Sequence, residues 1–157
     1  MSVKVFEALS GTKAIPAVNN PFTDIKDVEV LKAYKLGITT GTATDKFSPN
    51  VLLNREQAAT MLTRVFKRVP LVGWTIQTDS QFTLPYTKVA PFADDDKISS
   101  WAKDSVYFMV ANNIINGTGN NKFSPRATMT EEEARDYASA TRELALLMAV
   151  RMVENLK

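Results

Sequence analysis

The chain has 157 residues, 45% of them hydrophobic, with 19 basic against 17 acidic side chains and a net charge of +2. That length suits one ordinary domain or a few small repeats, and the charge is too balanced for nucleic-acid binding by bulk electrostatics. Cysteine and histidine are both absent, which excludes disulfides, thiolate chemistry, Cys/His zinc sites and catalysis by Ser-His-Asp or Cys-His sets. No stretch approaches the roughly 18 uninterrupted apolar residues of a membrane span, so no membrane insertion is expected.

Val3-Lys4-Val5-Phe6-Glu7-Ala8-Leu9 reads as the last turns of a helix, with no signal peptide visible before it. Residues 1–20 are read as the tail of an earlier repeat plus a linker. Such a tail would seek a partner through Val5, Phe6 and Leu9, which makes self-association one arrangement open to it.

An internal repeat follows. Pro21-Phe22-Thr23-Asp24 parallels Pro91-Phe92-Ala93-Asp94. Leu36-Gly37-Ile38-Thr39-Thr40-Gly41 parallels Asn112-Asn113-Ile114-Ile115-Asn116-Gly117, and each is followed by a Lys-Phe-Ser-Pro run, at 46–49 and at 122–125. In the first full repeat, 21–69, Asp27 is a candidate N-cap for a short helix with Val28, Leu31 and Tyr34 on one face, ended at Gly37. Gly41, Asp45 and Pro49 mark a loop. Asn54 and Gln57 then form a capping box for a second helix, whose apolar face runs Ala58, Leu62, Val65, Phe66, Val69.

Between the repeats, at 70–90, the β-prone Thr75-Ile76-Gln77-Thr78 and Phe82-Thr83-Leu84 flank Asp79-Ser80-Gln81 and predict a small β-hairpin. The second full repeat, 91–157, opens on Asp94-Asp95-Asp96. This acidic run lacks the spaced ligands and glycine of a calcium loop and reads as a turn and cap. Ser99 or Ser100 caps a helix using Trp101, Val106, Met109 and Val110, ended at Asn112-Asn113. Thr130-Glu131-Glu132-Glu133 is another capping-box signature. The match with Asn54-Arg55-Glu56-Gln57-Ala58 is read at Thr141-Arg142-Glu143-Leu144-Ala145, after an insertion at about 127–140, with a break near Ser139 to Thr141. Phe22, Phe47, Phe92 and Phe123 recur with the repeat and are read as core.

The ordered series, present twice, resembles the S-layer homology family: Phe-x-Asp, a helix, Gly-Ile-x-x-Gly, Phe-x-Pro, then a Thr-Arg-Ala-Glu-like helix start. The resemblance implies a mainly α fold of helix-loop-helix repeats packed as a pseudo-symmetric bundle, the hairpin being an insertion between repeats. It implies a non-enzymatic surface module that binds an acidic, often pyruvylated, secondary cell-wall polysaccharide attached to peptidoglycan, with no cofactor. The motif arginine lands on Arg55 and Arg142, and its leading residue on Asn54 and Thr141. The loop glycine lands on Gly41 and Gly117, the Phe-x-Asp acid on Asp24 and Asp94, and the helix-start aromatic on Trp101. The motif glutamate is replaced by Gln57 and Leu144.

Read from the residues alone, Arg55 and Arg142 offer a planar fork of donors for a sugar carboxylate beside a helix N-terminus, or pair locally with Glu56 and Glu143. Gly41 and Gly117 serve a turn with positive φ or close approach to a sugar. Trp101 packs or stacks on a sugar face. Two other functions compete with anchoring. One is a structural or protein-interaction module whose glycan site has decayed. The other is a two-carboxylate glycosidase, for which no recognisable acid pair exists.

Overall fold

The structure, a computed structural model, describes residues 2–127. Thr141, Arg142, the inserted segment beyond Ala127 and the break near Ser139 lie outside the described residues. Within them the regular structure is helical: α1 (Ser2–Ser10), α2 (Val28–Lys35), α3 (Arg55–Arg68) and α4 (Lys103–Ala111), with short 3₁₀ turns at Ile76–Gln81 and Asp95–Lys97. The described chain divides into two compact units. One holds the residues up to Val51 together with Arg64–Phe82, and the other holds Leu52–Thr63 together with the residues from Thr83 onward.

In the first unit α1 packs against α2. Val3, Val5 and Phe6 are buried, so the first helix does not offer the exposed apolar face expected of a stranded tail. Asp27 caps α2 as expected, its carboxylate accepting from the Glu29 and Val30 amides at 2.8 and 3.3 Å. The helix ends at Leu36, and Gly37 follows at φ 77°. Its buried residue is Ala33, whereas Val28 is 54% exposed, so the core face is rotated from the expected Val28–Leu31–Tyr34 stripe.

The expected hairpin between the repeats is a 3₁₀ turn instead. The Thr75 and Thr78 side chains each accept the other's backbone amide, a capping box that closes Ile76–Gln81 into a helical turn. Asp79 then reaches Lys67 Nζ at 2.7 Å, Trp74 Nε1 at 2.9 Å and Arg64 Nε at 3.2 Å. Burial alone pushes the Asp79 carboxyl up, but the bonds from Lys67, Trp74 and Arg64 outweigh it and hold it below the usual range. Local β-propensity loses to this three-donor anchor, as it does wherever tertiary contacts oppose it.

In α3 the expected capping box is present. The Asn54 amide donates to Gln57 Oε1 at 3.0 Å, and the Gln57 amide donates to Asn54 Oδ1 at 2.9 Å. The predicted apolar stripe is buried at Leu62 and Val65. A second, polar stripe is buried as well: Glu56, Thr60, Thr63 and Lys67. The spacing of four, three and four residues puts these on one face.

The second unit is built on Val106, Phe108, Met109, Ile114 and Phe123, all buried. α4 starts later than expected, at Lys103, after a turn in which the Ala102 and Lys103 amides donate to Ser99 O. Trp101 lies in that turn, 56% exposed. Asn113, at φ 56°, ends the helix where expected.

Candidate functional site

The repeated Phe-x-Asp and Lys-Phe-Ser-Pro segments close two loops of the same construction, one in each unit. In the first, Asp24 accepts the Phe47 and Ser48 amides at 2.9 and 2.8 Å. In the second, Asp94 accepts the Phe123 and Ser124 amides, both at 2.8 Å. Each acid thereby fixes the serine in the left-handed region, Ser48 at φ 58° and Ser124 at φ 56°. Thr42 and Ser48 share a 2.6 Å hydroxyl bond, as do Thr118 and Ser124. The Phe47 amide is the main cause holding the Asp24 carboxyl below the usual range; partial burial opposes it and the Ser48 amide adds to it.

The loop glycines meet this frame differently from each other. Gly41 has φ 83° and Gly117 does not share that positive φ. Both sit against the loop backbone and the Phe-x-Asp ring. An added Cβ would lie 2.6 Å from Phe22 Cε1 at Gly41, and 2.7 Å from Lys122 O and 3.0 Å from Phe92 Cε1 at Gly117. Close packing is therefore the shared requirement, and positive φ applies to Gly41 alone. Phe22 packs on Phe47 and Tyr34 at 5.5 and 5.4 Å between centroids, and Phe92 on Phe123 and Tyr107 at 5.6 and 6.0 Å. Phe22 and Phe123 are fully core; Phe47 and Phe92 are half-buried. The tyrosine partners were not legible because their distances from the Phe-x-Asp motif differ between repeats.

Of the candidate ligand residues, the structure gathers Asn54, Arg55, Asp94 and Gly117 in the second unit. Arg55 Nε donates to Phe123 O at 2.8 Å and Nη2 to Asn116 O at 2.5 Å, with the guanidinium 4.9 Å from the Phe123 ring centroid. The Arg55 and Glu56 amides donate to Ala127 O and Pro125 O at 3.0 and 3.2 Å. With Asn54 capping Gln57, the first amides of α3 are committed to the protein itself. The helix N-terminus is not the anion cradle that its position beside Arg55 implied. Gly41 and Asp24 belong to the first unit, and Trp101 to the turn before α4.

Two residues outside the expected set complete this region. Glu56 is fully buried, and its carboxylate accepts the Ser99 amide at 2.9 Å, the Ser99 hydroxyl at 3.0 Å and Arg126 Nη1 at 2.5 Å. Arg126 Nη2 also donates to Ser99 Oγ at 2.9 Å. Ser99 thus serves Glu56 rather than capping α4. Nearby, Asp95 binds Lys103 Nζ at 2.6 Å and Tyr107 Oη at 2.7 Å. These two bonds hold its carboxyl below the usual range. Burial, with the bond to Asp95, pushes the Tyr107 hydroxyl up to about 12. The three acids at 94–96 face separate partners, with Asp96 on Lys97 at 2.8 Å. Among the described residues no group of acids is arranged to hold a metal.

The family model for the S-layer homology domain matches residues 21–59 and 91–134, more than half of the chain. Among curated proteins, the exoglucanase XynX of Acetivibrio thermocellus is 28% identical over 123 residues, covering 75% of this chain and 10% of that protein. An amylopullulanase of Thermoanaerobacterium thermosulfurigenes is 28% identical over 118 residues, covering 72% of this chain and 6% of that protein. The chain thus spans about a tenth or less of the length of these relatives.

Proposed function

The chain belongs to the S-layer homology domain family, and from that premise we propose that it holds a surface protein non-covalently to the bacterial cell wall by binding an acidic secondary cell-wall polysaccharide. The family is one of non-catalytic modules that anchor surface proteins to the wall. The observation that carries the reading is the repeated loop frame. Two Phe-x-Asp acids clamp two Phe-Ser-Pro segments through the same pair of amides. Repetition suits a polymer, because several weak sugar contacts multiply when they sit on one chain. In this reading Asn54, Arg55, Asp94, Gly117 and Trp101 contact the glycan from the second unit and Gly41 and Asp24 from the first, with Thr141 and Arg142 as further ligand residues. A pull-down with peptidoglycan sacculi, before and after acid removal of the attached polymer, tests it. Retention on untreated sacculi alone supports anchoring; a folded chain retained by neither preparation refutes it.

One observation favours a second reading, a structural or protein-interaction module whose glycan site has decayed. Arg55 is turned toward the carbonyls of Asn116 and Phe123 and the Phe123 ring, and the α3 amides are spent on the same loop. The register of the second motif bears on this. Thr130 follows Phe123-Ser124-Pro125 at the spacing with which Asn54 follows Phe47-Ser48-Pro49, and the second family match closes at residue 134. In that register Glu131, not Arg142, stands opposite Arg55. Arg142→Ala separates the two registers: lower sacculus retention places the motif at 141–145, and unchanged retention places it at 130–134. Stable oligomers without affinity for the polymer favour the decayed-site reading.

A further inference from the structure

Beside the Asp94 clamp the second unit carries an open depression of about 660 Å³, lined by Asp96, Lys97 and the run Ser124-Pro125-Arg126-Ala127, with Asp94 completing the lining. That volume lies within the roughly 300–1,000 Å³ of small-molecule sites. Only Asp94 of the family-implied residues touches it. Arg126, a residue no motif singles out, is part of its lining.

Arg126 is held before any ligand arrives. Its Nη1 and Nη2 are fixed on Glu56 and Ser99, yet 65% of the side chain remains exposed. Pairing a fully buried carboxylate with so exposed a partner contributes little net stability, because solvent screens the arginine while the acid still bears its desolvation cost. The arrangement makes better sense as a strut that orients the guanidinium and spares the ordering cost on binding. Asp96 and Lys97 place an exposed acceptor next to an exposed donor, with the carboxylate 68% and the ammonium 69% accessible. Half-buried Ala127 supplies apolar surface, backed by the buried Pro125.

The charges decide the ligand class. Arg126 and Lys97 are offset by Glu56, Asp94 and Asp96, so there is no positive excess of the kind an acidic sugar requires. Donors alternate with acceptors over an apolar wall. A sugar hydroxyl both donates and accepts, and the C–H face of a pyranose suits such a wall. We propose that this depression is a subsite for a neutral pyranose unit of the wall glycan, with Arg126 and Lys97 donating to its hydroxyls and Asp96 accepting from them. The proposal rests on the wall-glycan reading above.

The test is a titration of the ¹⁵N-labelled full chain with methyl glucoside, alongside glucuronate, together with binding of purified wall polymer. Methyl glucoside is expected to move the amides of Asp96, Lys97, Arg126 and Ala127, and added salt leaves the effect unchanged. Arg126→Gln is expected to abolish those shifts and weaken polymer binding about tenfold, equivalent to about 1.4 kcal/mol. Lys97→Ala, which leaves the Glu56 network intact, is the second variant and weakens both readouts in the same direction. Wild-type chain that holds the polymer but shows no methyl glucoside shifts here, or variants that bind polymer as wild type does, overturn the subsite and leave anchoring standing. Methyl glucoside shifts at these amides without polymer binding show a neutral-sugar site here but overturn anchoring, and with it the assignment of the site to the wall glycan. A folded chain that does neither overturns both.

Discussion

Removing the Glu56 carboxylate tests whether the buried polar stripe of α3 shapes the second unit. The side chain is fully buried and accepts from the Ser99 amide, the Ser99 hydroxyl and Arg126. Hydrogen bonds to a charged group are worth roughly 1.5–3 kcal/mol each. Arg126 is largely exposed, so its share falls to about 0–1 kcal/mol by solvent screening. Glu56→Ala removes both Ser99 bonds, about 3–6 kcal/mol, and leaves a gap, but it also relieves the desolvation cost of the buried carboxylate, so the net loss is about 2–4 kcal/mol of stability. Glu56→Gln keeps an acceptor for Ser99 and loses the charge, for about 1–2 kcal/mol. Urea unfolding followed by far-UV circular dichroism reads both. Glu29→Ala is the control, since its pair with Lys32 is a surface i,i+3 contact that solvent screens, and it should unfold close to wild type. A Glu56→Ala chain within about 0.5 kcal/mol of wild type, the range of ordinary surface changes, refutes the reasoning.

Gly117→Ala and Gly41→Ala should each cost about 1–3 kcal/mol by overpacking against the loop backbone and a Phe ring, with Gly41 the worse because it also carries φ 83°; thermal melts rank them. Asn54→Ala removes the reciprocal cap of α3 and should cost about 1 kcal/mol in the same assay. Asp79 has a folded carboxyl value below its ordinary 3.8. Its contribution is therefore complete above that value and is lost as the pH falls through the lower folded one. The wild-type melting temperature should fall as the pH drops below about 4, and Asp79→Asn should be less stable at neutral pH and lose less on acidification. Among the described residues the remaining loss in that variant belongs to Glu7, Asp24, Asp95 and Asp96, whose carboxyls are also held low. A variant with an undiminished acid drop contradicts the role given to Asp79.

The sequence was most informative where a local rule needs few residues. Asp27 and the Asn54–Gln57 box act within one turn, so the starts of α2 and α3 were legible. The paired Phe-x-Asp and Phe-Ser-Pro segments announced a repeated loop, although not that the acids grip backbone amides rather than face solvent. Sequence reasoning failed where a distant partner decides the outcome. Thr75–Leu84 is β-prone, but Lys67 and Arg64, on a helix earlier in the chain, capture Asp79 and fold the segment into a 3₁₀ turn. Glu56 and Arg126 were invisible for the same reason: charged residues at a helix start and in a loop read as solvated until the fold brings one under the other. Gly117 was credited with a positive φ that it does not have; what excludes a side chain there is a ring and a carbonyl from elsewhere in the loop frame.

Calorimetric titration of the full chain with purified, acid-released wall polymer tests the central claim most directly. Anchoring predicts saturable binding that weakens as salt is added, that falls on Arg55→Ala, and that is absent for polymer stripped of its acidic groups. No heat from a chain whose circular dichroism shows it folded, or binding indifferent to the acidic groups, contradicts the account.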